Sequence, residues 1–207
     1  NPNNLKIIER EKRWELKNND KFFKGIDETF PIDSCTHSFF GVSKTYADFV
    51  VQEYGKNIGL KTVCFRAGCV TGPNHSGAQL HGFLSYLVKS SLLNNEYSLI
   101  GFKGKQVRDN LHSNDLVKCF WEFFKKPRKG EIYNIGGGRY SNCSVIEALD
   151  LVDKLTNSKI KRKYIKKNRV GDHIWYISNL TKFKKHYPNW KQKYNTDKII
   201  EELIYNF

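Results

Sequence analysis

The 207-residue sequence contains no methionine and only five prolines, and it begins with an asparagine. It has no run of about 18 apolar residues, which a membrane-spanning helix needs, and its first residues do not resemble a secretory signal peptide. The five cysteines are odd in number and include no Cys-x-x-Cys pair, which argues against a disulfide framework and against a thiolate zinc site. These absences predict a cytoplasmic protein with reduced thiols and no membrane partner, and the missing initiator suggests a partial or processed chain.

Acidic residues are also scarce, with 21 against 35 basic ones and a formal net charge of +14. The densest basic run spans residues 159–167. A nucleic-acid patch is one interpretation of this run, but Ile160, Tyr164 and Ile165 interrupt it as they would in a surface strand. We therefore favour a solvated face that attracts an anionic ligand, and we expect no nucleic-acid partner.

The remaining composition, 39% apolar and 14% aromatic residues, is typical of a soluble globular protein. Its clearest element is the stretch 38–55, where apolar side chains recur every three or four residues: Val42, Tyr46, Phe49 and Val50. Ser38 can cap the start of a helix here, and Gly55 is a typical residue just past a helix end. We predict a helix with a buried stripe, on which Phe40 and Lys44 lie one turn apart on a single face.

A β-rich run follows at residues 60–66 and predicts a buried parallel strand, with a Gly/Pro loop over 67–77 at its carboxyl end. Ligands of open α/β sheets bind at such ends. A helix is predicted over 116–124, and its aromatic face is expected to be core rather than a stacking platform: Phe120, Trp121, Phe123 and Phe124.

A glycine-rich segment over 131–144 nearly matches a dinucleotide-binding fingerprint, since a strand, Gly136-x-Gly138-x-x-Ser141 and a predicted helix follow one another. However, the third glycine is a serine, no βαβ unit follows, and the expected acidic residue is replaced by the basic run. We interpret the segment as a structural loop and not as a phosphate cradle.

Four segments resemble motifs of one family. Phe40-Gly-Val-Ser-Lys44 is similar to the Tyr-x-x-x-Lys helix of the extended short-chain dehydrogenase/reductases, the NAD-dependent nucleotide-sugar epimerases and dehydratases, with Phe40 at the tyrosine position. The other three are Arg66-Ala-Gly-Cys69-Val-Thr71-Gly-Pro73, the Arg-Asp-x-x-His-x-x-Asp segment 108–115, and Arg169-Val-Gly-Asp172. In the second motif, Cys69 and Thr71 stand where the family usually has Asn and Tyr. The order of motifs is that of the family, and the subgroup resembling CDP-paratose (CDP-tyvelose) 2-epimerases fits best.

The resemblance implies an α/β fold. Residues 1–74 would form the C-terminal portion of a Rossmann-type NAD(P)-binding domain, interleaved with a small α+β nucleotide-sugar-binding lobe over 75–207. It implies that the glycine-rich N-terminal half and the catalytic Ser/Thr lie outside this sequence. Residues 1–36 show no sustained periodicity, so we expect a surface excursion there and not a core element. In relatives the Tyr-x-x-x-Lys helix pairs with its copy, so a homodimer is expected for the intact enzyme.

By the same resemblance, NAD is the expected cofactor and a nucleotide-diphosphate sugar the expected substrate. Lys44 and Phe40 occupy the catalytic positions, and Lys44, Arg66 and Gly68 are expected to contact NAD. Substrate contacts are expected from a larger set: Cys69, Asn74, His75, Gln79, Arg108, Arg169 and Asp172. No metal site is expected, because the loop histidines 75 and 81 have no carboxylate near them in sequence.

Arg108 and Arg169 should converge on one cavity, because a diphosphate suits two planar cationic forks. The alternative for Arg108 is a weak ion pair with Asp109 within a turn.

Phe40 leaves the activity open, since phenylalanine cannot transfer a proton. The expected reaction is NAD-dependent epimerisation through a transient keto-sugar, with His75, Cys69 or a water in place of the missing tyrosine. The alternatives are a nucleotide-sugar dehydratase or 4-epimerase of the same superfamily, and a non-catalytic sugar-nucleotide binding protein. The 207-residue chain by itself is expected to be inactive.

Overall fold

The computed structural model describes residues 2–33, 35–79, 81–169 and 171–207. The α-helices within these ranges are Phe39–Lys56 (α1), Phe83–Leu92 (α2), Ser113–Lys125 (α3), Val145–Thr156 (α4), Thr181–His186 (α5) and Thr196–Tyr205 (α6). The strands are Ile7–Glu9 (β1), Trp14–Leu16 (β2), Val63–Ala67 (β3), Cys69–Thr71 (β4), Tyr97–Ile100 (β5), Val107–His112 (β6), Glu131–Ile135 (β7), Asn142–Ser144 (β8), Arg162–Ile165 (β9) and Trp175–Tyr176 (β10). In these ranges no helix is long and apolar enough to cross a membrane, and the five cysteines are free thiols.

Most of the strands form short parallel sheets, which confirms the predicted α/β class. β3 pairs with β7 and β5 with β9, both in parallel. β6 lies between β4 and β10, which run parallel to it, and β8 joins β6 antiparallel. The predicted helix over 38–55 is α1, and Ser38 caps it by accepting a hydrogen bond from the Gly41 N–H. The predicted parallel strand over 60–66 corresponds to β3.

Two hydrophobic clusters fill the interior. In one, helices α2, α4 and α6 pack around Leu87, Leu149 and Ile199, which are fully buried. In the other, strands β3 and β7 pack with helices α3 and α5 around Tyr133 and Phe183, whose rings meet edge to face at 5.2 Å. The residues with predicted binding roles lie on α1, β3, β4 and β6, between β3 and β4, and in the segments that follow β4 and β9.

The N-terminal segment contributes to the core, so the prediction of a surface excursion there is wrong. Leu16 and Ile26 are 0% and 3% exposed, and they pack in a third cluster with Trp175. The Glu15 carboxylate accepts two hydrogen bonds from the Arg139 guanidinium, at 2.8 and 3.1 Å, and one from Trp175 Nε1 at 2.9 Å. The segment lacks sustained periodicity because β1 and β2 are each only three residues long.

Two helix faces that were predicted to be buried are exposed in this chain. On α1, Tyr46 and Phe49 are 71% and 52% exposed, so the prediction of a buried stripe is wrong for these residues. On α3 only Phe123 is buried, whereas the other three aromatic residues are 47%, 57% and 71% exposed: Phe120, Trp121 and Phe124. Both helices carry apolar residues around more of their circumference than the two strands β3 and β7 can cover.

Candidate substrate and cofactor cavities

Two cavities open near the carboxyl end of β3, the edge at which parallel sheets bind ligands. The first, called here the arginine cavity, has a volume of about 330 Å³ and contains Arg108 and Arg169 in its wall. The second, called the lysine cavity, has a volume of about 500 Å³ and contains Lys44. Arg66 lines the lysine cavity, and Gly68, two residues later, lines the arginine cavity. The two cavities are therefore neighbours on either side of one strand end.

The two arginines of the arginine cavity meet at one carboxylate. Arg108 Nη2 donates to Asp172 Oδ1 at 2.5 Å, and Arg169 Nε lies 3.7 Å from Asp172 Oδ2. The Arg108 and Asp172 side chains are only 17% and 10% exposed, so solvent screens this pair weakly. Of the described residues that line this cavity, Asp172 is the one carboxylate, so the wall retains positive charge. The convergence expected from the sequence is thus observed.

The glycine-rich loop after β7 holds a carboxylate of the chain itself. Asp109 is 1% exposed, and its Oδ2 accepts hydrogen bonds from the backbone N–H groups of Gly138 and Ser178 at 3.0 and 2.9 Å. Burial raises the pKa of Asp109 more than these hydrogen bonds lower it. A Cβ at Gly136 would collide with the same carboxylate, which explains the glycine. The loop therefore serves Asp109, in agreement with a structural role, and the alternative ion pair between Arg108 and Asp109 is wrong.

A hydroxyl–imidazole cluster forms another part of the arginine-cavity wall. Thr71 Oγ1 lies 2.9 Å from Ser85 Oγ and 3.2 Å from His75 Nδ1, and Ser85 Oγ lies 3.3 Å from the same nitrogen. Hydroxyl donors at Nδ1 favour the tautomer that carries its proton on Nε2. Burial lowers the pKa of His75, and the neighbouring His81 lowers it further, so the ring is neutral near pH 7. Thr71, where the family usually has the tyrosine of its second motif, therefore helps to position a neutral histidine.

The sequence analysis missed two amides in the arginine cavity. Gln106 and Asn110 are 8% and 0% exposed, and both line it. Each is two residues from Arg108, and side chains alternate between the two faces of a strand. Gln106, directly before β6, and Asn110 within it therefore lie on the same face as Arg108, and this spacing is the signal that identifies them. Their amide nitrogens donate to backbone carbonyls, whereas Gln106 Oε1 and Asn110 Oδ1 have no partner in the part of the chain that the structure describes.

An ion pair in the wall of the lysine cavity joins the middle of α1 to β3. Arg66 donates two hydrogen bonds of 2.9 Å to the Asp48 carboxylate. Burial by itself would raise the pKa of Asp48, but the Arg66 guanidinium outweighs it and holds the pKa below its usual range. Lys44 Nζ lies 5.3 Å from the centre of the Phe40 ring, as expected for residues one turn apart, and Phe40 is 71% exposed. The phenylalanine is therefore next to the lysine, but it has no proton to donate.

His37, which the sequence analysis did not single out, also lines the lysine cavity. Its Nε2 lies 2.6 Å from the Ile32 carbonyl oxygen and 3.4 Å from Cys35 Sγ. The cavity that holds Lys44 thus contains an ionisable imidazole, three residues before the position of the family's tyrosine.

Six of the seven predicted substrate residues line the arginine cavity: Cys69, His75, Gln79, Arg108, Arg169 and Asp172. Asn74 instead lines a smaller depression beside it, together with residues at the C-terminal end of α6. Gly68, predicted to contact the cofactor, lines the arginine cavity. Burial raises the pKa of Cys69 to about 11, so its thiol is protonated and weakly nucleophilic near pH 7. The binding roles of all these residues remain predictions.

His75 and His81 are the two loop histidines at which no metal site is expected. Their rings meet edge to face with centroids 5.9 Å apart. Among the described residues, no group of three or more His, Cys, Asp or Glu side chains is arranged to hold a metal ion.

Parallel strands with two adjoining cavities at their carboxyl ends, one cationic, are typical of α/β proteins that bind ligands at the ends of their strands. The particular family follows from comparison: the model of the NAD dependent epimerase/dehydratase family matches residues 19–136, more than half of the chain. The chain belongs to this family, which confirms the resemblance seen in its motifs.

Relatives with both activities match. The chain is 29% identical over 140 residues to a CDP-paratose 2-epimerase of Salmonella typhi, covering 64% of this chain and 40% of the relative. It is 33% identical over 138 residues to a dTDP-D-glucose 4,6-dehydratase of Homo sapiens, covering 66% and 37%. The chain therefore spans less than half the length of these curated relatives.

Solved structures match over nearly the whole chain. A dTDP-glucose 4,6-dehydratase from Bacillus anthracis in complex with NAD superposes with a TM-score of 0.74 at 25% identity, covering 93% of this chain and 57% of that one. A Thermus thermophilus UDP-glucose 4-epimerase complex with NAD superposes with a TM-score of 0.78 at 20% identity, covering 93% and 59%. The second likeness concerns the fold alone.

Proposed function

We propose that this chain forms the nucleotide-sugar-binding part of an NAD-dependent epimerase, which inverts a sugar carbon through a transient keto-sugar. The observation that carries the proposal is the convergence of Arg108 and Arg169 on one cavity. Guanidinium forks meet phosphate oxygens two at a time, and a partly buried site strengthens that attraction. A diphosphate is the part of a nucleotide sugar that such a pair would hold.

The rest of the arginine cavity suits the polar groups of a sugar. His75 presents the N–H of a neutral imidazole, and Gln79, which is exposed, adds the hydrogen-bonding groups of an amide to the same wall. A sugar hydroxyl both donates and accepts hydrogen bonds, so it complements a wall of this kind. The cavity thus offers a cationic side for the diphosphate and a neutral, polar side for the sugar.

The lysine cavity fits one part of NAD. Lys44 offers an ammonium group that would hold the nicotinamide ribose, and the Arg66–Asp48 ion pair fixes the helix that carries it. NAD held there would supply the hydride acceptor and donor that the proposed reaction at the sugar carbon needs. The glycine-rich loop does not cradle the pyrophosphate of NAD here, because the Gly138 N–H donates to the buried Asp109 carboxylate, against which Gly136 also packs. In this chain the fit is therefore to the nicotinamide side of the cofactor.

Transfer of the sugar proton needs a group other than Phe40. Cys69 is a poor candidate, because burial keeps its thiol protonated near pH 7. His75 is neutral there, but its free-base nitrogen Nδ1 lies against the Thr71 and Ser85 hydroxyls, so proton transfer to His75 would pass through one of those hydroxyls. A second candidate function is favoured by Phe40 itself: a protein that binds nucleotide sugars without turnover, because loss of a positioned proton donor costs about 10² to 10⁴ in rate.

Calorimetric titration of the 207-residue chain with UDP-glucose, CDP-glucose and the corresponding monophosphates tests the binding part of the proposal. We expect both diphosphate sugars to bind more tightly than the monophosphates. A folded chain that binds none of them, or binds the monophosphates equally well, would contradict the proposal. Proton NMR of the complete enzyme incubated with NAD and the sugar that binds best then separates the two functions, since epimerisation produces a second set of sugar signals and mere binding does not.

A further inference from the structure

The basic strand β9 runs along one side of the arginine cavity. It pairs with β5 in parallel, with Lys163 opposite Ser98 and Ile165 opposite Ile100. Ser98 and Ile100 line the arginine cavity. Tyr97, which pairs with Arg162, lines the same cavity from the other face of β5. Paired residues on neighbouring strands point to the same face of a sheet, so Lys163 leaves the sheet on the face that carries Ser98 and Ile100. Lys161, two residues earlier, belongs to the same face by alternation.

The positive charge around β9 is neutralised on one side only. Arg162, on the opposite face from Lys163, is held by Asp150 and Asp153 of α4. Five exposed lysines of the run make no ion pair with any carboxylate that the structure describes: Lys159, Lys161, Lys163, Lys166 and Lys167. We call the last four the lysine rim.

The lysine rim leads towards the arginine pair. Arg169 follows Lys167 by two residues and lines the cavity with Arg108. At physiological salt the Debye length is about 8 Å, so exposed charges act mainly on ions that are already close to the surface. A row of cations that ends at a cationic cavity therefore concentrates anions at its mouth.

We propose that the lysine rim is an electrostatic capture surface, which steers a diphosphate-bearing ligand into the arginine cavity. The inference rests on the proposed function, because that function places the diphosphate between Arg108 and Arg169. The rim acts before the ligand is bound, so it changes the association rate and leaves the dissociation rate nearly unchanged. Charge steering of this kind accelerates association by about 10- to 1,000-fold in strongly charged systems.

A small dianion fits the rim better than a nucleic acid does. Tyr164, the one aromatic residue of β9, pairs with Leu99 and faces away from Lys163, so it does not form a stacking platform beside the lysines.

Stopped-flow binding of a fluorescent UDP, carrying a methylanthraniloyl group on its ribose, tests the proposal on the 207-residue chain. We expect the double variant Lys161→Gln/Lys163→Gln to slow association about three- to tenfold at about 20 mM salt, and the difference to vanish near about 500 mM. The dissociation rate should change by less than about twofold. The matched control is Lys185→Gln/Lys191→Gln, which removes two exposed charges near the second hydrophobic cluster and leaves the rim intact. Circular dichroism checks that all variants fold.

Equal association rates for the rim variant and the control would overturn the proposal, and so would an effect confined to the dissociation rate. Tighter, rim-dependent binding of a single-stranded oligonucleotide than of the fluorescent UDP would assign the rim to nucleic acid instead. Inorganic pyrophosphate, followed by its phosphorus NMR line width, separates the two proposals. Rim-dependent capture of pyrophosphate without any preference for UDP-glucose would contradict the proposed function and support the rim. Binding of neither probe would overturn both.

Discussion

Replacing Arg108 with glutamine should weaken the binding of UDP-glucose by about 10- to 150-fold. The guanidinium uses Nη2 for Asp172 and Nη1 for the carbonyl oxygen of Val107, at 2.5 and 2.8 Å. The remaining N–H groups are available to phosphate oxygens, and the side chain is only 17% exposed. Loss of hydrogen bonds to a charged partner in such a setting costs about 1.5 to 3 kcal/mol, and every 1.4 kcal/mol corresponds to about tenfold in the dissociation constant.

Two further variants make this measurement specific. Arg108→Lys keeps the charge but loses the planar fork, so its affinity should fall between those of the wild type and Arg108→Gln. Arg128→Gln is the control, because Arg128 also binds a carboxylate, that of Glu131 at 3.1 Å, but does not line the arginine cavity. Calorimetry gives the affinities, and urea unfolding confirms that each variant is folded. If Arg108→Gln and Arg128→Gln bind UDP-glucose equally well, Arg108 does not hold the diphosphate.

Three other substitutions give further predictions. Phe40→Tyr should change the free energy of unfolding by less than about 0.5 kcal/mol in urea melts, because the ring is 71% exposed, and a larger loss would mean that the ring packs elsewhere. Arg66→Gln should destabilise the fold at pH 7, and less so in acid: the folded pKa of Asp48 lies below 3.8, so the stability that this pair contributes is present above pH 3.8 and is lost as the pH falls through the folded pKa. A deficit that persists unchanged well below that pKa would exclude the ion pair as its cause. His81→Asn should raise the pKa of His75 in an NMR titration, because it removes a neighbouring like charge, whereas an unchanged value would leave burial as the whole cause.

Local patterns identified much of the site. The spacing of Phe40 and Lys44 sets their positions on one turn of α1 whatever the rest of the chain does, and the observed separation of 5.3 Å between the ammonium group and the ring follows from it. Arg108 and Arg169 could be paired only through the resemblance to a family, because no local rule brings such distant residues together. Their shared partner, Asp172, was therefore expected in the site, but not as the carboxylate between them.

The remaining features depend on contacts that a single sequence does not reveal. The burial of Leu16 and Ile26 requires Trp175 and the hydrophobic cluster around it, which the weak patterning of β1 and β2 does not indicate. Gln106 and Asn110 were missed for another reason: the alternation around Arg108 was present, but the motif of this segment indicated a substrate contact for Arg108 alone. Amphipathic patterns on α1 and α3 failed to predict burial because apolar residues occur on more than one face of each helix.

The hydrogen bond between Glu15 and Trp175 joins residues 160 positions apart in the sequence. During translation, at about 5 to 20 residues per second, Glu15 would be synthesised roughly 8 to 30 seconds before Trp175. Throughout that interval Leu16 and Ile26 lack this buried site, and the Glu15 carboxylate stays in water. The segment that carries β1 and β2 therefore waits for its partner, and the nascent chain presents this apolar surface to chaperones until the tryptophan has emerged.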